Sequence, residues 1–556
     1  MLSRRRFLTG TSLTGLALGA PHVARSALDL QERAGARPQR IIHLVSDGLS
    51  MGTLTCADQL SFLVRGRGLS WMKLYSDPAS RSGFMNMRSL NSIVTDSSAA
   101  SSSWGSGSRI VNGAVNMLPD GQWLTPLYSL FADAGWARGL VTTTEITHAT
   151  PAGFATNAWT RDNPLTIAGQ YLERKIDVLL GGGAAFFEAA KRSDKRDLKG
   201  DFRRAGYPIV ETLAELQAAP VGDRLLGLFS GSHLPFTIDQ QLDPKLIAKV
   251  PTLAAMTRAA LDRLGRRNRF ILQVEGGRID HAAHNSDAAT ALYEQLALDD
   301  ALDVCIEFQR ENPETLLVIT TDHGNANFGL NGTGPGYSHS SPRLAHVQQV
   351  KASFPIILDR LKKFGVRIDA PIIPEDREDS VTGRRSPYKI ADPDKLPMDP
   401  VDPQRASKVA KAIVAPSALE VSPQAIIDVI GDATGFKVSK RRAGGFARAL
   451  AGDPVTIFDG LTALTAQLGQ LMANRFAIGF SGNAHTGDYV PILAIGPGAD
   501  RFQGFIDNTD VFTHYTQLAG IKFRNPKLPL RASGPSAGST ERVASYAAAV
   551  SAAHSV

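Results

Sequence analysis

The sequence predicts an α/β fold: a central, mostly parallel sheet flanked by helices on both faces, with an inserted surface subdomain. Three observations lead there. Short runs rich in Val, Ile and Leu recur at 40–47, 138–145, 177–182, 270–275, 315–322 and 490–496. The runs are continuous in apolar character rather than alternating, the pattern of strands covered on both faces. Helical patterns follow them, and alternation of strand and helix over 556 residues argues for one sheet with helices on each side.

The chain opens with SRRRFL at 3–8, then a weakly apolar stretch and small residues. That order reads as a secretory signal over 1–27, too short to span a bilayer. Paired arginines before Phe-Leu resemble a twin-arginine signal, which implies export to the periplasm or the medium. Residues 28–344 supply the first part of the α/β core. From 345 to 470 the texture changes: a helical stretch, then the proline-punctuated SPYKIADPDKLPMDPVDPQ, then more helices. This reads as a crown-like insertion. Residues 471–530 return to the core, and 531–556 form a Ser/Ala-rich tail.

Composition narrows the partners. The net charge of +7 falls to +4 without Arg4, Arg5 and Arg6, a balance that requires no nucleic-acid partner and no membrane surface. The basic run KVSKRR at 437–442 has no aromatic residues interleaved to stack on bases and reads as a solvated face. Cys56 and Cys305 each lie in a helical pattern with the thiol toward the core, so two separate buried thiols are expected rather than a bridge.

Chemistry concentrates where strands end. Asp47, Glu145, Glu275 and Asp322 each close one apolar run. In open α/β sheets ligands gather beyond the carboxyl ends of the strands, so acids distant in sequence can converge. In VTDSSAASSSWGSGSRIVNGAV (94–115) an acid beside serines places Ser97 near a helix N-terminus, where backbone N–H groups favour an anion. In FILQVEGGRIDHAAHNSD (270–287) Asp280 and His284 stand one helical turn apart, compatible with a shared metal or with a plain salt link. Asp322 and His323 are adjacent at a strand end, and His485 sits in a Gly-flanked loop. Mixed His and carboxylate ligands suit zinc; oxygen ligands such as Thr150 and Glu275 suit magnesium.

The motifs DGLSMG (47–52), TDSSAASSSWGSG (95–107), THATPAGF (147–154), LLGGG (179–183), QVEGGRIDHAAH (273–284), TTDHGNA (320–326) and NAHTGDYVP (483–491) together resemble those of the alkaline phosphatases, in the same order. The resemblance implies hydrolysis of small phosphomonoesters through a nucleophilic serine, with two zinc ions and one magnesium ion as cofactors. Position by position it makes Ser97 the nucleophile and Arg161 the phosphate-gripping arginine. Asp280, His284 and His485 match ligands of the first zinc. Asp322 and His323, with Asp47 and the Ser97 oxygen, match ligands of the second. Asp47, Thr150 and Glu275 match the magnesium ligands. His148 and His281 stand at positions that vary among relatives and are assigned next to the third metal. Ser98 adds a second hydroxyl beside the nucleophile. Relatives include monomers and dimers, so a homodimer is one state the resemblance allows.

Competing readings are a phosphodiesterase-like relative and, in another class, an exported protein that binds phosphate or metal without catalysis. A sulfatase would need a modifiable Cys or Ser followed by Pro and Arg, which DSSAAS lacks. A diesterase would commonly use threonine and lack a counterpart of Arg161. A non-catalytic binder would have lost the nucleophile or a ligand, and neither is missing.

Overall fold

The computed structural model describes residues 37–220, 222–364, 421–453, 456 and 458–530. The signal over 1–27, the middle of the 345–470 insertion and the tail over 531–556 lie outside the described residues.

Chain order gives β1 (Arg40–Ser46), β2 (Arg81–Asn86), β3 (Ala137–Glu145), β4 (Val178–Gly182) and β5 (Ile209–Val210). Then come β6 (Leu225–Leu228), β7 (Phe270–Gly276), β8 (Thr315–Thr320), β9 (Gly324–Asn325) and β10 (Gly329–Leu330). The last are β11 (Ile478–Gly479), β12 (His485–Thr486), β13 (Val490–Ile495) and β14 (Gly504–Asp507). Ten of them form one sheet in the order β14-β2-β13-β8-β1-β7-β3-β4-β6-β5. β13 runs antiparallel to both its neighbours, and every other adjacent pair is parallel. The expected mostly parallel sheet is therefore present, and each of the six apolar runs is one of its strands.

Both faces are buried, as continuous apolar runs require. Along β1, Ile42 and Leu44 join one hydrophobic cluster while Ile41 and Val45 join another. The same alternation splits Leu272 from Ile271 on β7 and Leu317 from Leu316 on β8. Successive side chains point to opposite faces, so each strand serves two cores.

The helices that matter to the site are α1 (Met51–Arg65), α2 (Ser97–Ser106), α3 (Ala149–Ala155), α4 (Arg278–His284) and α5 (Ala288–Glu311). Four more, α6 (Phe354–Lys362), α7 (Pro423–Thr434), α8 (Lys440–Leu450) and α9 (Leu464–Phe476), come from the region read as an insertion or from its border. Their buried residues Ile357, Ile430, Phe446 and Leu468 belong to the same cluster as Leu44 and Val274, so these helices extend the core of one sheet face. The charged residues of KVSKRR are exposed at the start of α8, as a solvated run should be. Cys56 on α1 and Cys305 on α5 are separate, buried and free, and burial pushes the Cys56 thiol up to about 11. No described helix is long and apolar enough to cross a membrane.

Candidate active site

Sheet order brings the acids together. β8, β1, β7 and β3 are neighbours at the centre of the sheet. Their register sets Val45 beside both Glu275 and Thr320, and Glu275 beside Thr142. Asp47 and Asp322 then each follow two residues past that level. After β1 the chain turns at Gly48 (φ +71°), where a Cβ would lie 2.3 Å from Asp280 Oδ1. Only glycine combines that left-handed backbone with so close an approach.

Ser97 is delivered by α2, whose sequence SSAASSSWGS is made almost entirely of small residues. Small residues let α2 press against α3: a Cβ on Gly105 would lie 1.9 Å from the Gly153 carbonyl oxygen. Ser101 Oγ donates to the Thr150 carbonyl at 2.6 Å, which ties Thr150 to the serine helix. Asp96 caps α2, its carboxylate accepting from Ala99 N at 2.6 Å. Ser98 Oγ also donates to Asp96. The Ser97 hydroxyl instead lies 3.1 Å from His323 Nε2, which makes Ser97 the serine facing the site.

Among the described residues, three groups of side chains bring ligand atoms close enough to share a metal ion: Asp280, His284 and His485; Asp47, Asp322 and His323; and Asp47, His148 and Glu275. In the first, His284 Nε2 and His485 Nε2 are 3.0 Å apart and lie 3.2 and 3.7 Å from Asp280 oxygens. Each imidazole gives its Nδ1–H to a carbonyl, His284 to Asn483 at 2.8 Å and His485 to Thr95 at 2.9 Å. With Nδ1 so engaged, each ring turns Nε2 toward the other and toward a carboxylate, an arrangement a cation would stabilise. His323 repeats the device: Nδ1 donates to Gly324 O at 3.3 Å, and Nε2 lies 3.2 Å from Asp322 and 3.6 Å from Asp47.

Electrostatics agree. Burial, then the charges of Asp322, Asp280 and Glu275, drive Asp47 well above the ordinary carboxylate range. Burial and the Asp280 charge raise Asp322 to about 6. Burial lowers His323 to about 4 and His485 to about 3, which keeps both rings neutral, as ligation requires. Asp280 lies well below its ordinary value: burial opposes ionisation, but His284, His485 and His323 outweigh it. Both Asp47 oxygens, Asp322 Oδ2, Glu275 Oε1 and Thr150 Oγ1 are buried without a hydrogen-bond partner. Buried acceptors left so are costly, and divalent cations are what they fit.

Arg161 reaches the same place. It is 8% exposed, with Nη1 at 3.9 Å from Asp96 and Nη2 at 3.1 Å from His148 Nε2. His148 Nδ1 is 3.9 Å from Glu275 Oε1, so His148 stands among the third group's ligand atoms and not only beside them. His281 lies outside all three groups, its ring 5.6 Å from that of His148. Glu145 does not converge with the other strand-end acids. β3 runs three residues past Thr142 and shifts register against β4, and the Glu145 carboxylate accepts from Ser232 Oγ at 2.8 Å. Sequence reasoning missed His233, whose ring is 5.9 Å from His148 and 4.5 Å from His281. Its one signal was a histidine in a Gly/Ser/Pro-containing loop.

A buried serine at a helix N-terminus, flanked by His/Asp groups that could hold metal ions and by an arginine, is the arrangement of a metallohydrolase acting on an anionic ester. The sequence profile of the family described as alkaline phosphatase matches residues 39–365. Alkaline phosphatase 4 of Bacillus subtilis is 30% identical over 425 residues, covering 75% of each chain. Streptomycin-6-phosphate phosphatase of Streptomyces griseus is 33% identical over 57% of this chain and 80% of its own. The crystal structure of Thermus thermophilus alkaline phosphatase shares 31% identity and a TM-score of 0.73, covering 90% of this chain and 95% of that one. The chain belongs to the alkaline phosphatase family and is a phosphomonoester hydrolase.

Proposed function

We propose that this enzyme hydrolyses phosphate monoesters through a phosphoserine formed on Ser97. The observation that carries the reading is the Ser97 hydroxyl 3.1 Å from His323 Nε2, on the helix capped by Asp96 and beside two metal-ligating groups. Asp280, His284 and His485 would hold one zinc ion, Asp47, Asp322 and His323 a second, and Asp47, Thr150 and Glu275, with His148, a magnesium ion. Bound there, the cations would act as Lewis acids, lowering the pKa of hydroxyl and water and offsetting phosphoryl charge.

The chain's own groups set the rest. The α2 N-terminus presents N–H groups to the phosphoryl anion. Ser97 Oγ attacks phosphorus in line and releases its proton to water, while the bond from phosphorus to the ester oxygen breaks and that oxygen leaves with the electron pair, taking a proton from water to become the alcohol. Water then attacks the phosphoserine from the vacated side and restores Ser97. Arg161, held near Asp96 and His148, offers a fork of donors to two non-bridging oxygens, which suits the dianion of a monoester. Residues 1–27 support export by the twin-arginine route to the periplasm or the medium.

Steady-state hydrolysis of nitrophenyl phosphate, bis-nitrophenyl phosphate and nitrophenyl sulfate tests the proposal. The monoester is expected to be strongly preferred, with activity lost on chelation and restored best by zinc and magnesium together. Full activity after exhaustive metal removal, or a preference for the diester, contradicts it.

A further inference from the structure

Arg161 lies in the irregular stretch between α3 and the helix Pro164–Glu173. With no helix or strand of its own, that stretch takes its place from what it leans on. Ala158 pairs with Val115 through two backbone hydrogen bonds of 2.9 Å, and the Arg161 N–H donates to the Gly113 carbonyl at 2.8 Å. The backbone of the arginine is therefore hung on residues 113–115.

Asn116, next in line, ties those residues to the helices of the site. It is fully buried and left-handed at φ +46°, a conformation asparagine adopts more readily than most residues. Its N–H donates to Ser102 Oγ on α2 at 3.0 Å. Its Nδ2 donates to the Gly153 carbonyl on α3 at 2.7 Å and to the Thr156 carbonyl at 2.8 Å. Asn157 closes the assembly from the other side. It is 2% exposed, and its Nδ2 donates to the Asn116 carbonyl at 2.7 Å and to the Leu124 carbonyl at 2.8 Å. Its Oδ1 accepts from Arg174 Nη2 at 2.7 Å, while the Gln170 amide bonds its backbone N–H at 2.9 Å and its carbonyl at 2.7 Å. The side-chain amide has one orientation open to it. Carbonyl oxygens only accept and a guanidinium only donates, so the nitrogen must face the two carbonyls.

We propose that Asn157 is a positioning residue for Arg161. Its amide locks the arginine's segment to residues 113–116 and, through Asn116, to the helices that carry Ser97 and Thr150. The guanidinium is thereby held in register with the nucleophile. This rests on the reading of Arg161 as the arginine that binds the phosphoryl group.

Asn157→Asp is nearly isosteric and sets a carboxylate oxygen against the two carbonyls that the amide nitrogen bonded. Monoester kcat/KM is expected to fall about fivefold, the scale of a lost buried hydrogen bond, and inhibition by inorganic phosphate should weaken in parallel. Hydrolysis of bis-nitrophenyl phosphate should change far less, and metal content should stay at the wild-type level. A purely structural residue would lower both rates together. The decisive arm repeats the substitution in Arg161→Ser. Acting through Arg161, Asn157→Asp should cost nothing more there, the double variant matching Arg161→Ser within about twofold. Losses that multiply, an equal fall for both esters, loss of metal, or wild-type kinetics in Asn157→Asp would each overturn the proposal. If Arg161→Ser itself leaves the monoester-to-diester ratio unchanged, the reading of Arg161 falls first and takes the proposal with it. Should Asn157→Asp not fold, Asn157→Ser, which leaves room for water at the two carbonyls, is judged by the same comparison.

Discussion

On the side of the site built by His284, His323 and His485, every imidazole gives its Nδ1–H to a backbone carbonyl. On the side built by His233 and His281, Nδ1 receives a hydrogen, from the Glu145 amide or from Arg278. The rings are chemically identical and lie in one region, His281 and His323 buried and the other three partly so, yet the first three donate through Nδ1 and the other two accept there. What a histidine can do here is decided by the neighbour of its other nitrogen. His148 stands between the two sides: Nε2 faces Arg161 and Nδ1 faces Glu275.

The largest effect should come from Ser97, the proposed nucleophile. Ser97→Ala is expected to lower kcat by at least about a thousandfold while metal content, measured by emission spectroscopy, stays at the wild-type level. Ser98→Ala should keep substantial activity, because its hydroxyl is turned to Asp96. A dead Ser98→Ala beside an active Ser97→Ala would reverse the assignment.

The comparison itself is broken or sharpened by paired histidine variants. His485→Gln should lose bound zinc, lose activity and melt at lower temperature, since a ligand that binds only the folded state stabilises it. His233→Gln should keep the full metal complement. Loss of zinc from both variants would erase the distinction between the two sides.

A smaller effect is expected at Arg161. Arg161→Ser should cost monoester hydrolysis about tenfold or more in kcat/KM and cost diester hydrolysis much less, because a diester carries one charge and a blocked oxygen. An unchanged ratio of the two rates would remove Arg161 from substrate binding.

The smallest is expected at Glu294, which feels the Arg278 charge. Burial pushes Glu294 up to about 7 in the folded protein. Its folded pKa exceeds the unfolded value, so the folded state holds the proton longer and stability drains away as pH rises from about 4.3 to about 7, then levels off. Glu294→Gln cannot ionise. Its melting temperature relative to wild type should rise across that window and stay constant above it; a pH-independent difference would contradict the shift.

Much of this was legible in the sequence. The β1, β7 and β8 runs are apolar at almost every position because both faces are buried, and the acids at their ends are those that converge in the candidate metal groups. β2 and β14 escaped notice for the opposite reason. β14 is an edge strand and β2 the next one in; both are half-exposed and carry Gly504 and Gly83 among mixed residues. Glu145 misled because a strand-end acid reads the same whether or not its strand overruns the ligand level. His233 carries no spacing signal, since its place is set by tertiary packing. Arg278 stood in plain view within QVEGGRIDHAAH, but the Phe236 ring it stacks on is distant in sequence.

The central claim is that the two His/Asp groups flanking Ser97 hold the catalytic metals. A crystal structure of the zinc- and magnesium-loaded enzyme, with anomalous data collected at the zinc edge, tests it most directly. Zinc peaks are expected between Asp280, His284 and His485 and between Asp47, Asp322 and His323, each ligated through Nε2, with His281 and His233 uncoordinated. A zinc peak on His281 or His233, or none beside Ser97, would contradict the account.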